Sequence, residues 1–276
     1  TIGGSTAKNS SNLTYDFNNG AAIKAKKFLD CGEGMDISDI SLPGNQLELI
    51  ETLKRTGKPI IALLIAGRPY DITRVSEIAH AVLTAWYPGE EGGRALSDIL
   101  TGKVNPSGKL SISVPYAPTC LPAYYNRITS AQSSVSDDWV VNTYGDNNKR
   151  VLYPFGYGLS YSDFEYVSME VTEKGACLFE VKAVIRNVSD IGGKEAVQLY
   201  IHGKGNSIRR RVKELKSFKK IYIAPHSEQT VTFTLGYDEL RIFSCNNRYE
   251  LENGKVEIYI GSGDNLPLRT EIEIRV

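Results

Sequence analysis

Short apolar runs alternate with helix-like segments and glycine-rich joints between Pro59 and Pro115. The run at residues 59–66 is apolar throughout and is followed by Gly67, which is typical of a strand covered on both faces of a parallel sheet. A second apolar run covers residues 81–87. We therefore predict a β/α layer in which residues 59–66 form the central strand.

Two segments of this layer have the spacing of an amphipathic helix. Residues 46–55 place leucine or isoleucine on one face, follow Asn45 as an N-cap and end before Gly57. Residues 94–100 also carry their apolar side chains on one face, and Gly102 can adopt the left-handed conformation beyond the helix end. Both segments are predicted to be helices.

The flanks of the layer are harder to assign. Residues 109–114 alternate polar and apolar side chains, which predicts a half-buried strand. Residues 1–6 are typical of the turn that follows a buried strand. Residues 7–41 are polar and poorly periodic except at 21–28, where a short helix and an irregular loop fit the sequence equally well, and we predict loop there. Because a sheet with so few strands leaves an unpaired edge, we expect its first strand to be missing. The chain would then be part of a nicked or longer enzyme.

The second half of the chain changes character. Residues 116–150 are irregular, and the glycines among aromatic residues at 154–161 predict a tightly packed corner. From residue 164 onward, apolar alternation recurs between turn residues, which predicts a β-sandwich. The predicted fold class is thus α/β plus all-β, with a partial α/β sandwich at 1–118, an irregular linker at 119–163 and a β-sandwich at 164–276.

Composition excludes several classes of function. The 32 basic and 32 acidic residues cancel, so neither nucleic acid nor an anionic membrane is an expected partner. No apolar run reaches the ~18 residues of a membrane span. The four cysteines and three histidines are scattered, so we expect free thiols, no metal and no cofactor. The basic cluster at 209–211 is predicted to be a solvated loop.

Five motifs, in this order and at this spacing, resemble the later half of glycoside hydrolase family 3, and they are Cys31–Asp36, Ser41–Gln46, Ala85–Gly93, Asn105–Leu110 and Tyr153–Tyr161. Residues 195–200, 212–218 and 223–227 resemble the fibronectin type III-like domain that closes many of these enzymes. Together the motifs span nearly the whole chain.

The resemblance implies a mechanism. Enzymes of this family are mostly retaining, exo-acting β-glucosidases and β-xylosidases with a TIM-like barrel, an α/β sandwich and often the fibronectin-like domain. The barrel, which carries the nucleophilic aspartate, is not in this sequence. The acid/base glutamate comes from a sandwich loop, and Glu33 in Gly32–Glu33–Gly34 is the matching position. Its alternative interpretation is an ordinary exposed loop glutamate.

The chemistry requires two carboxyl groups about 5 Å apart, on opposite sides of the anomeric carbon. A glutamate on a glycine-flanked loop can reach into a neighbouring pocket, where bound sugar excludes water. Asp36 and Asp39 are rival carboxyl groups on the same predicted loop, but the resemblance to the family motifs places them beyond the acid and implies hydrogen-bonding or helix-entry roles for them. Ile37 replaces an arginine found in many relatives, and the Ser-Asp-Asp-Trp at 136–139 is interpreted as a chance likeness to the nucleophile motif.

The resulting expectation is the acid/base-bearing part of a retaining β-glycosidase, with β-glucosidase favoured over β-xylosidase. Its expected partners are the barrel and a β-linked oligosaccharide, and a secreted or periplasmic location is favoured. The two sugars are not separable because the sugar pocket would lie mostly in the barrel. A non-catalytic carbohydrate-binding or scaffold fragment is the alternative from another class.

Overall fold

The computed structural model describes residues 1–4, 14–16, 18–20, 22–23, 37–128, 150–204 and 207–276. The chain divides into two compact units. Unit 1 comprises residues 1–100, 114–123 and 149–152, and unit 2 comprises residues 101–113, 124–148 and 153–276. The domain boundaries predicted at 118 and 163 stay a prediction.

The elements of the first part of the chain follow a β/α order. They are β1 (Ile2–Gly4), β2 (Thr14–Tyr15), β3 (Ala22–Ile23), α1 (Gln46–Lys54), β4 (Ile61–Ala66), α2 (Thr73–Ile78), β5 (Ala81–Thr84), α3 (Gly92–Leu100), β6 (Val114–Pro115), a 3-10 turn (Pro118–Cys120) and β7 (Val151–Tyr153).

A three-stranded parallel sheet in the order β1-β4-β5 forms the centre of unit 1. The predicted central position of β4 is confirmed. The turn predicted at residues 1–6 is wrong at residues 2–4, which form β1 and pair with Leu64–Ala66. The reason is close backbone approach: a Cβ on Gly3 would lie 1.9 Å from the Ile65 carbonyl oxygen, so only glycine permits this pairing.

The central strand is fully buried on one face only. Ala62, Leu64 and Ala66 are buried, whereas Leu63 and Ile65 are half-buried. The predicted cover on both faces is therefore wrong for the part of unit 1 that the structure describes. Alternation along β4 fixes which side chains point to the covered face.

The predicted helices are confirmed as α1 and α3. Gly57 and Gly102, just beyond their ends, have φ of 68° and 76°, the left-handed conformation that glycine tolerates. Asn45 occupies the N-cap position of α1 but its side chain makes no capping hydrogen bond. The crossover between β4 and β5 is α2, which contacts α1 through an Arg74–Glu51 ion pair of 2.5 Å.

Two predictions in the flanks are wrong. The loop predicted at residues 21–28 is wrong at residues 22–23, which form β3 and pair with β2, while the rest of that segment lies outside the described residues. The strand predicted at 109–114 is reduced to β6. The carbonyl of Leu110 instead accepts a 2.7 Å hydrogen bond from the Gly156 amide, and its amide donates a 2.8 Å hydrogen bond to the Tyr157 carbonyl. The backbone of Leu110 is therefore paired with the packed corner and not with a strand.

Unit 2 consists mainly of long antiparallel strands. They are β8 (Phe164–Gly175), β9 (Leu178–Asn187), β10 (Gly193–Lys204), β11 (Glu214–Ile223), β12 (Glu228–Leu235), the short helix α4 (Tyr237–Leu240), β13 (Ile242–Phe243), β14 (Tyr249–Glu250), β15 (Gly254–Ser262) and β16 (Asn265–Ile274).

These strands form the predicted β-sandwich. One sheet has the order β12-β9-β8 and the other β11-β10-β15-β16, and all their pairings are antiparallel. Alternate side chains of both sheets meet in one apolar core, as period-2 alternation requires. Fully buried members of this core include Val181, Ile185, Val197, Leu199, Ile258 and Ile260.

The basic cluster at 209–211 is not a solvated loop throughout. Arg210 is buried, with 8% of its side chain exposed, and lies 3.5 Å from the Glu214 carboxylate. Burial lowers the pKa of Arg210, and the charges of Glu214 and Glu252 oppose that shift. The Glu214 carboxylate, four residues further along the chain, thus offsets part of the cost of burying the Arg210 charge. Composition alone did not indicate this pairing.

Candidate active site

The carboxyl ends of β1, β4 and β5 meet at one edge of the unit 1 sheet, since the three strands are parallel. Open α/β sheets bind ligands at such edges. Tyr87 follows β5, and its hydroxyl donates a 3.4 Å hydrogen bond to the carbonyl oxygen of Gly4 at the end of β1. The segments that leave β1 and β5 are thereby joined at this edge.

The side chain of Gln46 binds the Ser41–Gln46 motif to the backbone of β1. The Gly3 amide donates to Gln46 Oε1 at 2.6 Å, and Gln46 Nε2 donates to the Gly3 carbonyl at 2.8 Å. Nε2 also donates to the carbonyl of Pro43 at 2.9 Å. The Gln46 amide therefore acts as the peptide group of an additional strand and satisfies an edge that would otherwise be unpaired.

The predicted acid/base residue, Glu33, lies outside the described residues, and so does Asp36. The described residues that follow them in the chain, from Ile37 to Ser41, are held to unit 1 by backbone contacts. Ile40 is buried, and its carbonyl accepts a 2.8 Å hydrogen bond from the amide of Asp71. Ser41 and Asp71 form a parallel bridge. Asp71 belongs to the segment that follows β4, so these contacts fix Ile40 and Ser41 beside that segment.

Asp39 stabilises the segment at residues 37–41. Its carboxylate accepts a 2.9 Å hydrogen bond from the Ser41 amide. Hydrogen bonds from the Ser41 hydroxyl and amide lower the pKa of Asp39. An exposed carboxyl group with a lowered pKa is ionised at neutral pH and is a poor proton donor, which agrees with the helix-entry role expected from the sequence.

Trp86, which the sequence did not single out, has a strained backbone at the same edge. Its φ is 51°, and a bulky residue in the left-handed region is uncommon. Such conformations cost ~1–3 kcal/mol and cluster at functional sites. In the sequence, the one signal of an unusual backbone here is the concentration of glycine, proline and aromatic residues in Ala85–Gly93.

The remainder of the Ala85–Gly93 motif builds the turn into α3. Gly89 has a φ of 75°, and its carbonyl accepts a 3.2 Å hydrogen bond from the Gly92 amide. A Cβ on Gly92 would lie 2.6 Å from Cγ of Pro88, so a side chain there would displace the proline ring. Gly89 is thus required by its backbone conformation and Gly92 by packing, and neither needs a ligand to explain it.

The Asn105–Leu110 and Tyr153–Tyr161 motifs meet in unit 2, where Asn105 is the centre of a polar network. Asn105 Nδ2 donates to the Ser162 hydroxyl at 2.7 Å and to the Gly192 carbonyl at 3.2 Å. Its Oδ1 accepts hydrogen bonds from the Ser160 hydroxyl and the Tyr161 amide, both at 2.8 Å. One asparagine thus uses both ends of its amide to join both motifs to the sandwich.

A buried ion pair continues this junction. Lys109 Nζ lies 3.1 Å from Glu195 Oε2 and donates to the Gly158 carbonyl at 2.7 Å. The Tyr166 hydroxyl donates to Glu195 Oε1 at 2.9 Å. Burial, followed by the nearby Glu195 charge, raises the pKa of Tyr166, so its phenol stays protonated as a donor. The predicted packed corner is confirmed, and it is stabilised by polar contacts.

Among the described residues, no group of three or more His, Cys, Asp or Glu side chains is placed to hold a metal ion. Within the same ranges, no helix is long and apolar enough to cross a membrane. The described cysteines, Cys120, Cys177 and Cys245, are free thiols.

Residues 14–161 match the profile of the family described as the glycosyl hydrolase family 3 C-terminal domain, which covers more than half of the chain. The chain belongs to glycoside hydrolase family 3. Residues 195–263 match the fibronectin type III-like domain. The family 3 profile spans all five motifs, including the Gly32–Glu33–Gly34 sequence, and the second profile lies within the β-sandwich of unit 2.

Relatives in family 3 include proteins named as beta-glucosidases and proteins named as beta-xylosidases. The beta-glucosidase BoGH3A of Bacteroides ovatus is 36% identical over 255 residues, which are 88% of this chain and 34% of the relative. A beta-xylosidase of Formosa agariphila is 35% identical over 84% of this chain and 32% of the relative. A periplasmic beta-glucosidase of Salmonella typhimurium is 34% identical over 83% of this chain and 31% of the relative.

Solved structures agree with the fold. The beta-glucosidase from Listeria innocua in complex with isofagomine superposes with a TM-score of 0.80 at 34% identity, covering 88% of this chain and 35% of that chain. The present chain spans about a third of the length of the curated relatives it matches.

Proposed function

We propose that this chain supplies Glu33 as the general acid/base of a retaining, exo-acting β-glycosidase whose nucleophilic aspartate and most of whose sugar pocket belong to a TIM-like barrel. The observation that carries the proposal is the family 3 match across residues 14–161, which includes the Gly32–Glu33–Gly34 sequence. The backbone contacts of Ile40 and Ser41 with Asp71 support it, since they fix the chain a few residues after Glu33 beside the segment that follows β4.

Exposed apolar side chains on α1 support the need for a partner domain. Leu47, Leu49 and Leu53 are 42%, 53% and 41% exposed, although a helix of a self-sufficient domain buries its apolar side chains. Leu49 and Leu53 are four residues apart and therefore neighbours on one face of α1, and clustered exposed apolar side chains mark interaction sites. A barrel could cover this surface, in keeping with relatives about three times as long as this chain.

The reaction would proceed by double displacement. In the first step, the barrel aspartate attacks the anomeric carbon while the Glu33 carboxyl group donates its proton to the glycosidic oxygen, and the leaving group departs as an alcohol. In the second step, the Glu33 carboxylate takes a proton from the water that attacks the glycosyl-enzyme. The sugar leaves with its configuration retained, and both carboxyl groups return to their starting states.

We propose a terminal β-glucoside as the substrate, with a β-xyloside as the second candidate. Both names occur among relatives of nearly equal identity, at 36% and 35%. Comparing kcat/KM for aryl β-glucoside and aryl β-xyloside with the assembled enzyme separates them. We further propose a secreted or periplasmic location, supported by the name of the Salmonella typhimurium relative, and cell fractionation tests it.

Substitution of Glu33 in the assembled enzyme tests the proposal. Glu33→Gln should lower kcat/KM for a disaccharide by about 10²–10⁴-fold, because the leaving alkoxide loses its proton donor. The loss should be much smaller for an activated dinitrophenyl glycoside, which departs without a proton. Azide should then partly restore turnover and yield a glycosyl azide, because an anionic nucleophile needs no base in the second step.

The matched control is Glu170→Gln, which removes an exposed carboxylate from β8 of the sandwich and should leave both substrates unaffected. Wild-type hydrolysis of disaccharides by Glu33→Gln would refute the proposed role. An assembled wild-type enzyme with no glycosidase activity would instead favour the non-catalytic alternative.

A further inference from the structure

Three exposed aromatic rings lie together on unit 2. Tyr237 begins α4, Phe243 ends β13 and Tyr249 begins β14, and they are 47%, 51% and 55% exposed. The rings of Phe243 and Tyr249 pack edge to face with centroids 5.2 Å apart. The Arg241 guanidinium lies 4.4 Å from the Tyr249 ring centroid and 5.7 Å from that of Tyr237. We call these four residues the aromatic patch.

Hydrogen bonds and buried neighbouring residues hold the aromatic patch in place. The Tyr237 hydroxyl donates a 2.9 Å hydrogen bond to the Tyr249 carbonyl, which ties α4 to β14. Leu240 and Ile242, which alternate with the patch residues, are buried. The turn between β13 and β14 is closed by a 3.0 Å hydrogen bond from the Ser244 amide to the Arg248 carbonyl. Rings fixed in this way lose little conformational freedom when a ligand binds.

Charges around the aromatic patch are paired. Arg241 lies 3.4 Å from Asp238, and Arg248 lies 2.6 Å from Glu250. Hydrogen bonds from Ser244, Asn246 and Arg248 lower the pKa of Glu250 to about 2, so it remains the anion that holds this turn. An aromatic surface with balanced charges complements a neutral ligand and gives no electrostatic advantage to a polyanion or polycation.

We propose that the aromatic patch binds a neutral polysaccharide of β-linked pyranoses and so holds the enzyme on the polymer. In β-glucose and β-xylose every ring hydroxyl is equatorial, which leaves broad C–H faces that can lie on aromatic rings. The equatorial hydroxyls at the ring margin would meet the guanidinium of Arg241, which lies against the Tyr249 ring. The choice of sugar rests on the proposed function, whereas the location rests on the exposed rings.

Affinity electrophoresis of the 276-residue chain tests the proposal, with mixed-linkage β-glucan or xylan cast in the gel. The wild-type chain should be retarded by one of these polymers and not by dextran, an α-linked glucan. Phe243→Ala and Tyr249→Ala should each weaken retardation about five- to tenfold, as expected for the loss of an aromatic contact. Tyr249→Phe keeps the ring and should bind as the wild type does.

Phe218→Ala is the matched control, since it removes a 64% exposed ring from β11. It should bind as the wild type does, and circular dichroism should show that every variant is folded. Equal retardation of Phe243→Ala and the wild type, equal retardation by dextran, or none by either β-linked polymer would overturn the proposal. Gel filtration adds one more test. If the wild-type chain is a dimer that neither polymer retards, and Tyr249→Ala is a monomer, the aromatic patch joins two copies of the chain and the proposal is overturned.

The outcome is distinguishable from that of the proposed function. Glu33→Gln should retain polymer retardation while losing disaccharide hydrolysis in the assembled enzyme. Retention of hydrolysis by Glu33→Gln would refute the catalytic role alone. Loss of retardation in Tyr249→Ala with unchanged hydrolysis of a small aryl glycoside supports the polymer site, because such a substrate needs only the active site.

Discussion

Replacing Lys109 by methionine tests whether the buried ion pair stabilises unit 2. Lys109 and Glu195 are only 12% and 4% exposed, so removing the ammonium leaves a buried carboxylate without its counter-charge. Breaking such a pair costs ~3–5 kcal/mol. The lower end applies because the Tyr166 hydroxyl still donates to Glu195. We therefore expect Lys109→Met to lower the free energy of unfolding of unit 2 by about 3 kcal/mol.

Urea titration followed by hydrogen exchange of peptides from β9 and β10 reads the stability of unit 2 separately from that of unit 1. With a denaturant dependence of about 2 kcal/mol per molar, the midpoint should fall by about 1.5 M. The double variant Lys109→Met/Glu195→Gln should recover most of the loss, since a neutral amide can still accept the Tyr166 hydrogen bond.

Lys174→Met supplies the control, because Lys174 pairs with Glu180 at 3.3 Å on an exposed surface where the two side chains are 48% and 28% accessible. Its effect should stay below ~1 kcal/mol. A Lys109→Met variant no less stable than Lys174→Met would show that the pair contributes nothing. A double variant no better than Lys109→Met would locate the effect in the Gly158 hydrogen bond instead of the charge.

Two further perturbations test other parts of the chain. Gln46→Leu removes both hydrogen bonds to Gly3 and should lower the stability of unit 1 by about 2 kcal/mol, measured as faster hydrogen exchange in β1 and β4, with Glu48→Gln as the unaffected control. Burial would raise the pKa of Glu257, but hydrogen bonds from Arg269, Lys204 and Tyr259 prevail and lower it to about 2. The stabilising contribution of Glu257 should therefore be complete at neutral pH and decline as pH falls from about 4.5 toward 2. Urea midpoints measured across this range should fall less for Glu257→Gln than for the wild type. An equal fall in the two proteins would contradict this assignment.

Local periodicity predicted most of the fold because its long elements keep one regular spacing of apolar side chains over many residues. The strands of unit 2 keep a period of two over eight to twelve residues in most cases, and α1 and α3 keep a helical period over nine residues each. Residues 109–114 have the same alternation as a strand but pair largely with the corner at 155–158. Alternation reports which side chains face inward, and it does not report which backbone lies alongside.

The candidate site was less predictable because its contacts join residues far apart in the chain. The Gln46 amide reaches Gly3, 43 residues earlier, and Lys109 reaches Glu195. No local pattern distinguishes Gln46 from an ordinary polar residue at the start of a helix. The strained backbone of Trp86 likewise depends on the neighbouring strands, so its φ has no counterpart in the sequence.

The motifs therefore divide by the kind of defect that their substitution should produce. Gln46, Gly92 and Asn105 have roles that their own contacts explain without any substrate, because they satisfy backbone groups, relieve crowding and join segments. Substitutions there should reduce stability and leave the turnover of correctly folded enzyme near normal. Glu33 has the opposite expectation, since a proton donor lent to a sugar pocket contributes to the transition state and not to the folded chain. A Glu33→Gln variant that unfolded more readily, with normal turnover when folded, would place that residue among the framework motifs instead.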